Sequence, residues 1–209
     1  VISFIFGILS CATMQKGLLF YNDNENKKAL KNYKDIVAKY PNSSEAKEAV
    51  SNAKNVYIDL GTIDEYAKWV KGISFINITD AELDNTTYEA AENKFLANNV
   101  SKATEGFKKY ILAFPEGLHA LQANFYLAEL LVREGSEKEA ISNYQYVINQ
   151  PQSEFSEQAL NKLSQILLEE EDWATAIPLL ERLEEEANLP LNILYAQSNL
   201  MKGYYQSEA

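Results

Sequence analysis

Residues 138–147 read Lys-Glu-Ala-Ile-Ser-Asn-Tyr-Gln-Tyr-Val, and within them Ala140, Tyr144 and Val147 set a spacing that recurs along the chain. A small residue followed by large apolar ones at i+4 and i+7 puts all three on one face of an α-helix. Ala103, Phe107 and Tyr110 stand 37 residues earlier, and Ala176, Leu180 and Leu183 stand 36 later. Ala29, Tyr33 and Ile36 lie two such steps before Ala103, which predicts a hidden copy centred on position 66. There Tyr66, Val70 and Ile73 occupy the three columns. Five registers at a near-constant step identify a tandem array of helical units.

Twelve residues before each register position the chain is small: Gly17, Ala91, Ala128 and Ser164, as close helix approach requires. Lys54 breaks that column, just as Tyr66 breaks the alanine column. Turn-forming groups separate the two helices of a unit: Asn22-Asp23-Asn24, Asn98-Asn99, Glu134-Gly135-Ser136 and Glu171-Asp172. Pro41, Pro115, Pro151 and Pro190 follow the second helices, where the chain must leave helical geometry. The units therefore run over about 10–43, 44–80, 84–118, 119–153 and 154–190, with an extra helix at 191–206, all in one array over 1–209. The second unit is degenerate. Gly61-Thr62 opens a short second helix, and Ile73 to Thr79 alternates and is rich in β-branched residues. Taken alone that stretch is strand-like; inside a helical array it is expected to be an extended connector.

The pattern resembles the tetratricopeptide repeat family over roughly residues 10–190, with a step of 37 against the family's usual ~34. The resemblance implies an all-α fold: tandem helix-turn-helix repeats in a right-handed superhelical solenoid. Stacking is what makes such units stable, because one helix pair has an apolar face and no partner for it. Ala-Lys-Tyr-Pro-Asn-Ser-Ser-Glu-Ala (38–46) and Phe-Pro-Glu-Gly-Leu-His-Ala (114–120) are similar to tetratricopeptide proteins of the Gram-negative envelope. Those include lipoproteins of outer-membrane assembly and cell-wall coordination.

The family resemblance also implies a ligand groove lined by the first helix of each unit. Its columns fall 18, 15, 11, 8 and 7 residues before the register position. They nominate Tyr21 and Asn22 in the first unit, Asn55 and Asp59 in the second, and Tyr88 and Glu92 in the third. Phe125, Glu129 and Arg133 follow in the fourth unit, and Asn161, Gln165 and Glu169 in the fifth. Aromatic and amide groups supply anchoring area and adaptable hydrogen bonds, which suits a protein or peptide partner. The groove is too acidic for the cluster of Lys and Arg that clamps a chaperone's C-terminal carboxylate.

Chemistry is hard to find. A formal charge of −11 over 209 residues disfavours nucleic acid, which needs clustered cations. His119 is the only histidine and has no partner in a recognisable motif. The acidic runs 169–172 and 184–186 point their carboxylates in different directions around a helix. No catalytic residue, metal site or cofactor is expected. Residues 1–10 form an uncharged apolar run too short to span a bilayer as a helix. Ile8-Leu9-Ser10-Cys11 is similar to the end of a bacterial lipoprotein signal, so 1–10 is either a signal remnant with a lipid on Cys11 or part of the first helix.

The extra helix, patterned by Leu191, Leu194, Tyr195, Ser198, Met201 and Tyr205, is expected to turn Asn192, Gln197, Asn199, Lys202 and Gln206 outward, within a longer array. The function expected is a non-enzymatic interaction scaffold in the periplasm or outer membrane of a Gram-negative bacterium. The alternatives are a lipoprotein binding a glycan or peptide solute, and a cytoplasmic adaptor.

Overall fold

Apolar faces of helical period, cut by turn residues at regular intervals, can only fold as a succession of helical hairpins, and hairpins form. The computed structural model describes the backbone of residues 2–207 and the side chains of residues 9–205. Among the described residues there are eleven α-helices and no strand. The chain divides into two compact units, 1–93 and 94–209. Unit 1 holds α1 (Ile2–Asn22), α2 (Asn26–Lys39), α3 (Ser44–Leu60), α4 (Ile63–Lys71) and most of α5 (Asp80–Leu96). Unit 2 holds α6 (Val100–Ala113), α7 (Ala120–Arg133), α8 (Glu137–Ile148), α9 (Ser156–Glu169), α10 (Trp173–Glu186) and α11 (Pro190–Ser207).

The three repeat columns are the core of both units. Ala29, Tyr33, Ile36, Tyr66, Val70, Ile73, Ala103, Phe107, Tyr110, Ala140, Tyr144, Val147, Ala176, Leu180 and Leu183 are all buried. The small column does the job its size suggests. A Cβ on Gly17 would sit 2.6 Å from the Tyr33 ring, so α1 and α2 approach closely because that residue is glycine.

The turns carry a second signature of the repeat. Asn24, Gly61, Asn98, Gly135 and Glu171 all have positive φ, between 54° and 75°. Each stands five residues before its register position. In all five turns this residue's N–H donates to the carbonyl three back, and the next residue's N–H to the carbonyl five back. Asn24 to Tyr21 with Glu25 to Phe20, and Gly135 to Val132 with Ser136 to Leu131, are two of the pairs. This is the Schellman arrangement, which satisfies carbonyls that a helix end would otherwise leave bare. Asn and Gly tolerate the left-handed conformation; Glu171 occupies it at a steric cost.

The degenerate stretch behaves as expected of a connector. α4 has only nine residues, and residues 76–79 carry no regular structure. A capping box ends the connector: Thr79 N and Oγ1 donate to Glu82 Oε2 (2.7 and 2.9 Å), and Glu82 N donates to Thr79 Oγ1 (3.2 Å). Pro190 follows α10 after a short turn and itself opens α11, at a position where its missing N–H costs nothing.

At the N-terminus the backbone of α1 runs without a break from Ile2. The side chains of residues 1–8, on which most of the signal-remnant expectation falls, lie outside the described residues. No described helix is long and apolar enough to cross a membrane.

α11 corrects one expectation. Leu191, Leu194, Met201 and Tyr205 are exposed rather than packed inward, and Asn192 and Asn199 are half-buried in hydrogen bonds rather than turned out. The buried face is instead Ala196, Leu200 and Gly203. Gly203 lets α11 sit against Trp173 and Ile177 of α10, whose side-chain atoms would lie 3.1 Å from an added Cβ.

Candidate functional site

Within each unit a pair of first helices meets, α1 with α3 and α9 with α11, and residues of neighbouring groove columns pair across them. In unit 1 Tyr21 of α1 donates its hydroxyl to Asp59 Oδ2 of α3 at 2.7 Å. Burial, then the hydrogen bond to Asp59 and its charge, push the Tyr21 phenol up to about 12, so it stays a donor at neutral pH. Asn22 and Asn55 are exposed. Tyr88 is not available to a partner. It is 6% exposed and gives its hydroxyl to Glu92 one turn on, at 3.0 Å. Its position follows from α5 itself, where Leu83, Thr87, Ala90 and Ala91 are also buried and the interior face is broad.

Unit 2 is described separately. Phe125 also leaves the groove. It is 5% exposed, with its ring centroid 4.7 Å from Phe155 and 6.4 Å edge-on to Tyr144, so its area is spent packing α7 against the segment before α9. Glu129, half-buried, accepts the Tyr144 hydroxyl at 2.5 Å. Burial, with the Glu129 hydrogen bond and charge, raises that phenol far above its ordinary value. Arg133 is exposed and its guanidinium donates to Asn98 Oδ1 at 2.9 Å, in the turn between α5 and α6.

The best-developed part of the groove is an amide network across α9 and α11. Gln165 Nε2 donates to Asn161 Oδ1 (2.6 Å), Asn161 Nδ2 to Asn192 Oδ1 (3.1 Å), and Asn192 Nδ2 to Glu157 Oε1 (2.7 Å). Glu157 also accepts the backbone N–H groups of Asn188 and Leu189, both at 3.0 Å, just before α11 begins. A carboxylate there satisfies donors and complements the helix dipole. Desolvation raises the Glu157 pKa, but the hydrogen bonds from Asn188, Asn192 and Leu189 outweigh it and the carboxyl titrates below its ordinary value. Asn161 and Gln165 remain half-exposed, and each amide has more donors and acceptors than these bonds use. They can therefore still engage a peptide backbone. Glu169, at the end of α9, is exposed.

Glu157, Asn192 and Asn98 were not among the expected groove residues. Glu157 reads from the sequence as an ordinary acidic first-turn residue of α9. Only the packing of α11 beside it reveals the cap. Asn98 carried a signal, since an Asn between two helices suits the left-handed turn from which it meets Arg133.

His119 is half-buried, and its backbone N–H donates to the Tyr110 hydroxyl at 3.0 Å. Among the described residues no group of three His, Cys, Asp or Glu side chains could hold a metal ion.

A sequence profile described as a tetratricopeptide repeat-like domain matches residues 60–191, more than half of the chain. The protein belongs to the tetratricopeptide repeat-like family. A single tetratricopeptide repeat profile also matches residues 12–43. No curated protein matches the chain in sequence.

Among solved structures, this tetratricopeptide chain is similar to Pseudomonas aeruginosa pilF, at 12% identity and a TM-score of 0.48 over 97% of this chain and 87% of that one. It is similar to yeast Tom70 at 20% identity and a TM-score of 0.46, over 95% of this chain and 40% of that one. YrrB, described as a TPR protein with an unusual peptide-binding site, is 17% identical with a TM-score of 0.44 over 89% of this chain and 90% of that one. Tetratricopeptide domains generally mediate protein–protein interactions.

Proposed function

We propose that this protein is a non-enzymatic scaffold that holds a protein or peptide partner along the groove face of its first helices. The observation that carries the reading is the amide network of α9 and α11. It is built across two repeats, half-exposed, and retains unused hydrogen-bonding capacity. The aromatic content weighs against a solute-binding platform: Tyr33, Tyr57, Phe107, Tyr110 and Tyr144 are spent inside the helix packing. Affinity capture with the full chain, from membrane and soluble fractions separately, followed by calorimetry against the captured protein, tests the reading. Gln165→Ala and Arg133→Ala are expected to weaken binding while His119→Ala leaves it unchanged. Groove variants that bind normally beside a His119→Ala variant that loses function would overturn it.

The proposed setting is a complex of the Gram-negative envelope, in the periplasm or at the outer membrane. It is supported by the Tyr-Pro-Asn-Ser junction and by the lipobox-like Ile8-Leu9-Ser10-Cys11. The Cys11 thiol is exposed on α1 and so is open to a lipid. Radiolabelled palmitate entering the native protein and lost in Cys11→Ala would support this attachment. Labelling that persists in that variant would exclude attachment at Cys11.

A further inference from the structure

The chain holds two arginines, Arg133 and Arg182, and the structure treats them differently. Arg182 is ion-paired with Glu186 and donates to the Ile148 carbonyl at 2.6 Å. Arg133, exposed at the end of α7, donates to the neutral Asn98 Oδ1, and among the described residues it is in no ion pair. The carboxylates around it are engaged elsewhere. Glu129, one turn back on α7, accepts the Tyr144 hydroxyl, Glu134 accepts Thr104 at 3.3 Å, and Glu92 of α5 accepts Tyr88. In a chain of formal charge −11, an exposed guanidinium with most of its N–H donors unused is the exception.

Beside Arg133 runs an aromatic band that helix packing leaves half-buried. Phe95, near the end of α5, stacks on Tyr126 of α7 at 4.8 Å between ring centroids, and Tyr126 meets Phe155 edge-on at 6.0 Å. Leu96, next to Phe95, is 73% exposed. One turn joins the band to the arginine: the Asn98 N–H donates to the Phe95 carbonyl, and Asn98 Oδ1 accepts from Arg133. Leu96 and Arg133 stand in the same groove column, seven residues before their register positions. Tyr126 and Arg133, two turns apart on α7, share one face and lie ~10 Å apart along the helix. The Phe95 and Tyr126 rings cover each other's faces and so present edges, whose partial positive charge suits an anion as the guanidinium does.

We infer that this patch of unit 2 reads an acidic–apolar motif in an extended segment of the partner. An apolar side chain rests on Leu96 and the Phe95–Tyr126–Phe155 band, and an Asp or Glu about three residues along reaches Arg133. The inference rests on the groove reading above and names the partner chemistry. An extended chain rises ~3.3 Å per residue, so about three residues cover the distance from band to guanidinium. Desolvation of the apolar contact supplies anchoring energy, and a carboxylate gives Arg133 charge-assisted hydrogen bonds. A Lys at the same place would meet like charge, which is how the patch selects.

The test uses the full chain and short capped fluorescent peptides of Ser and Gly that carry one Phe and, at varied separation from it, one Glu, Gln or Lys. Fluorescence polarisation is expected to rank Glu above Gln and Gln above Lys, with the Glu peptide weakening as salt screens the charges. Arg133→Glu should cost the Glu peptide about tenfold in affinity or more and place the Lys peptide above it. Leu96→Asn should weaken the Glu and Gln peptides alike, because it removes only the apolar contact. Both residues are exposed, and circular dichroism checks that the fold is kept. Equal binding of the three peptides, binding of none, or a Glu preference that survives in Arg133→Glu overturns the inference. A captured native partner that requires Gln165 but neither Arg133 nor Leu96 also overturns it, while its dependence on Gln165 upholds the groove reading.

Discussion

The α3–α4 hairpin of unit 1 and the α7–α8 hairpin of unit 2 meet the same packing requirement in opposite ways. In α7–α8 the small columns are Ala128 and Ala140, both fully buried, and the helices come close. In α3–α4 the same columns carry Lys54 and Tyr66. Large residues there forbid close approach, so the space between is filled by an aromatic wedge. Tyr57, Tyr66 and Trp69 stand 5.9–6.3 Å apart between ring centroids. The Lys34 ammonium lies 5.3 Å over Tyr57 and 5.6 Å over Trp69. The repeat thus demands a filled interface rather than one residue type at each column, in line with the tolerance of cores for volume-preserving change.

The sharpest way to break this comparison is to remove the wedge. Tyr66→Ala restores the repeat's own alanine yet should cost about 3–5 kcal/mol, since it leaves a cavity that α3 and α4 cannot close. The reciprocal Ala140→Tyr should cost about 1–3 kcal/mol or more by overpacking α7–α8. Urea unfolding followed by circular dichroism reads both. If Tyr66→Ala proves neutral, the wedge is not what holds α3–α4.

The two units also differ in how they treat the tyrosine four residues after the register. Tyr144 donates to Glu129, whereas the buried Tyr33 hydroxyl finds no acceptor. Tyr144→Phe should therefore cost about 1.5–3 kcal/mol, the range for a hydrogen bond to a charged group. Tyr33→Phe should be neutral or slightly stabilising, because it deletes an unsatisfied buried group. Equal losses in the two variants would contradict this account.

Acid stability offers a finer distinction, between a cap made within one helix and a cap made across two. Glu82 caps its own helix from a fully exposed position, while Glu157 of α9 caps α11. Both carboxyls titrate below their ordinary value. A lowered folded-state pKa means that the charged form is favoured by folding. Its contribution is complete above the unfolded pKa of about 4.3 and is lost as pH falls through the folded value. Melting temperature measured from pH 6 downward, an interval chosen around that value of ~4.3, should fall less steeply in Glu157→Gln than in the native chain. A native-like slope in that variant would remove Glu157 from the acid response.

The smallest expected effect compares the turns. Glu171→Gly should stabilise by about 0.5–1 kcal/mol by relieving a left-handed side-chain residue. Gly135→Ala should cost about 1–2 kcal/mol at the equivalent place. Thermal unfolding resolves both signs.

Much of the architecture can be read directly from Ala140, Tyr144 and Val147 and their copies, because a helix fixes which residues share a face and every such face needs a partner. Asn24, Gly61 and Gly135 mark their turns for the same local reason: few residue types accept positive φ. The capping box Thr79–Glu82 was equally local, but it was masked by the β-branched run before it. The groove is less legible. Periodicity places Tyr88 and Phe125 on the correct side of a helix without saying what stands opposite, and the broad interior of α5 and the ring of Phe155 take them into the core. The Glu157–Asn192–Asn161–Gln165 network depends on α11 packing beside α9, which no turn residue announces. Helical period and turn chemistry act within about ten residues, so the sequence by itself determined the helices, their inward columns and the family. Burial and hydrogen bonding between repeats act across 30 residues or more, and only the packed structure decided which groove side chains a partner can reach.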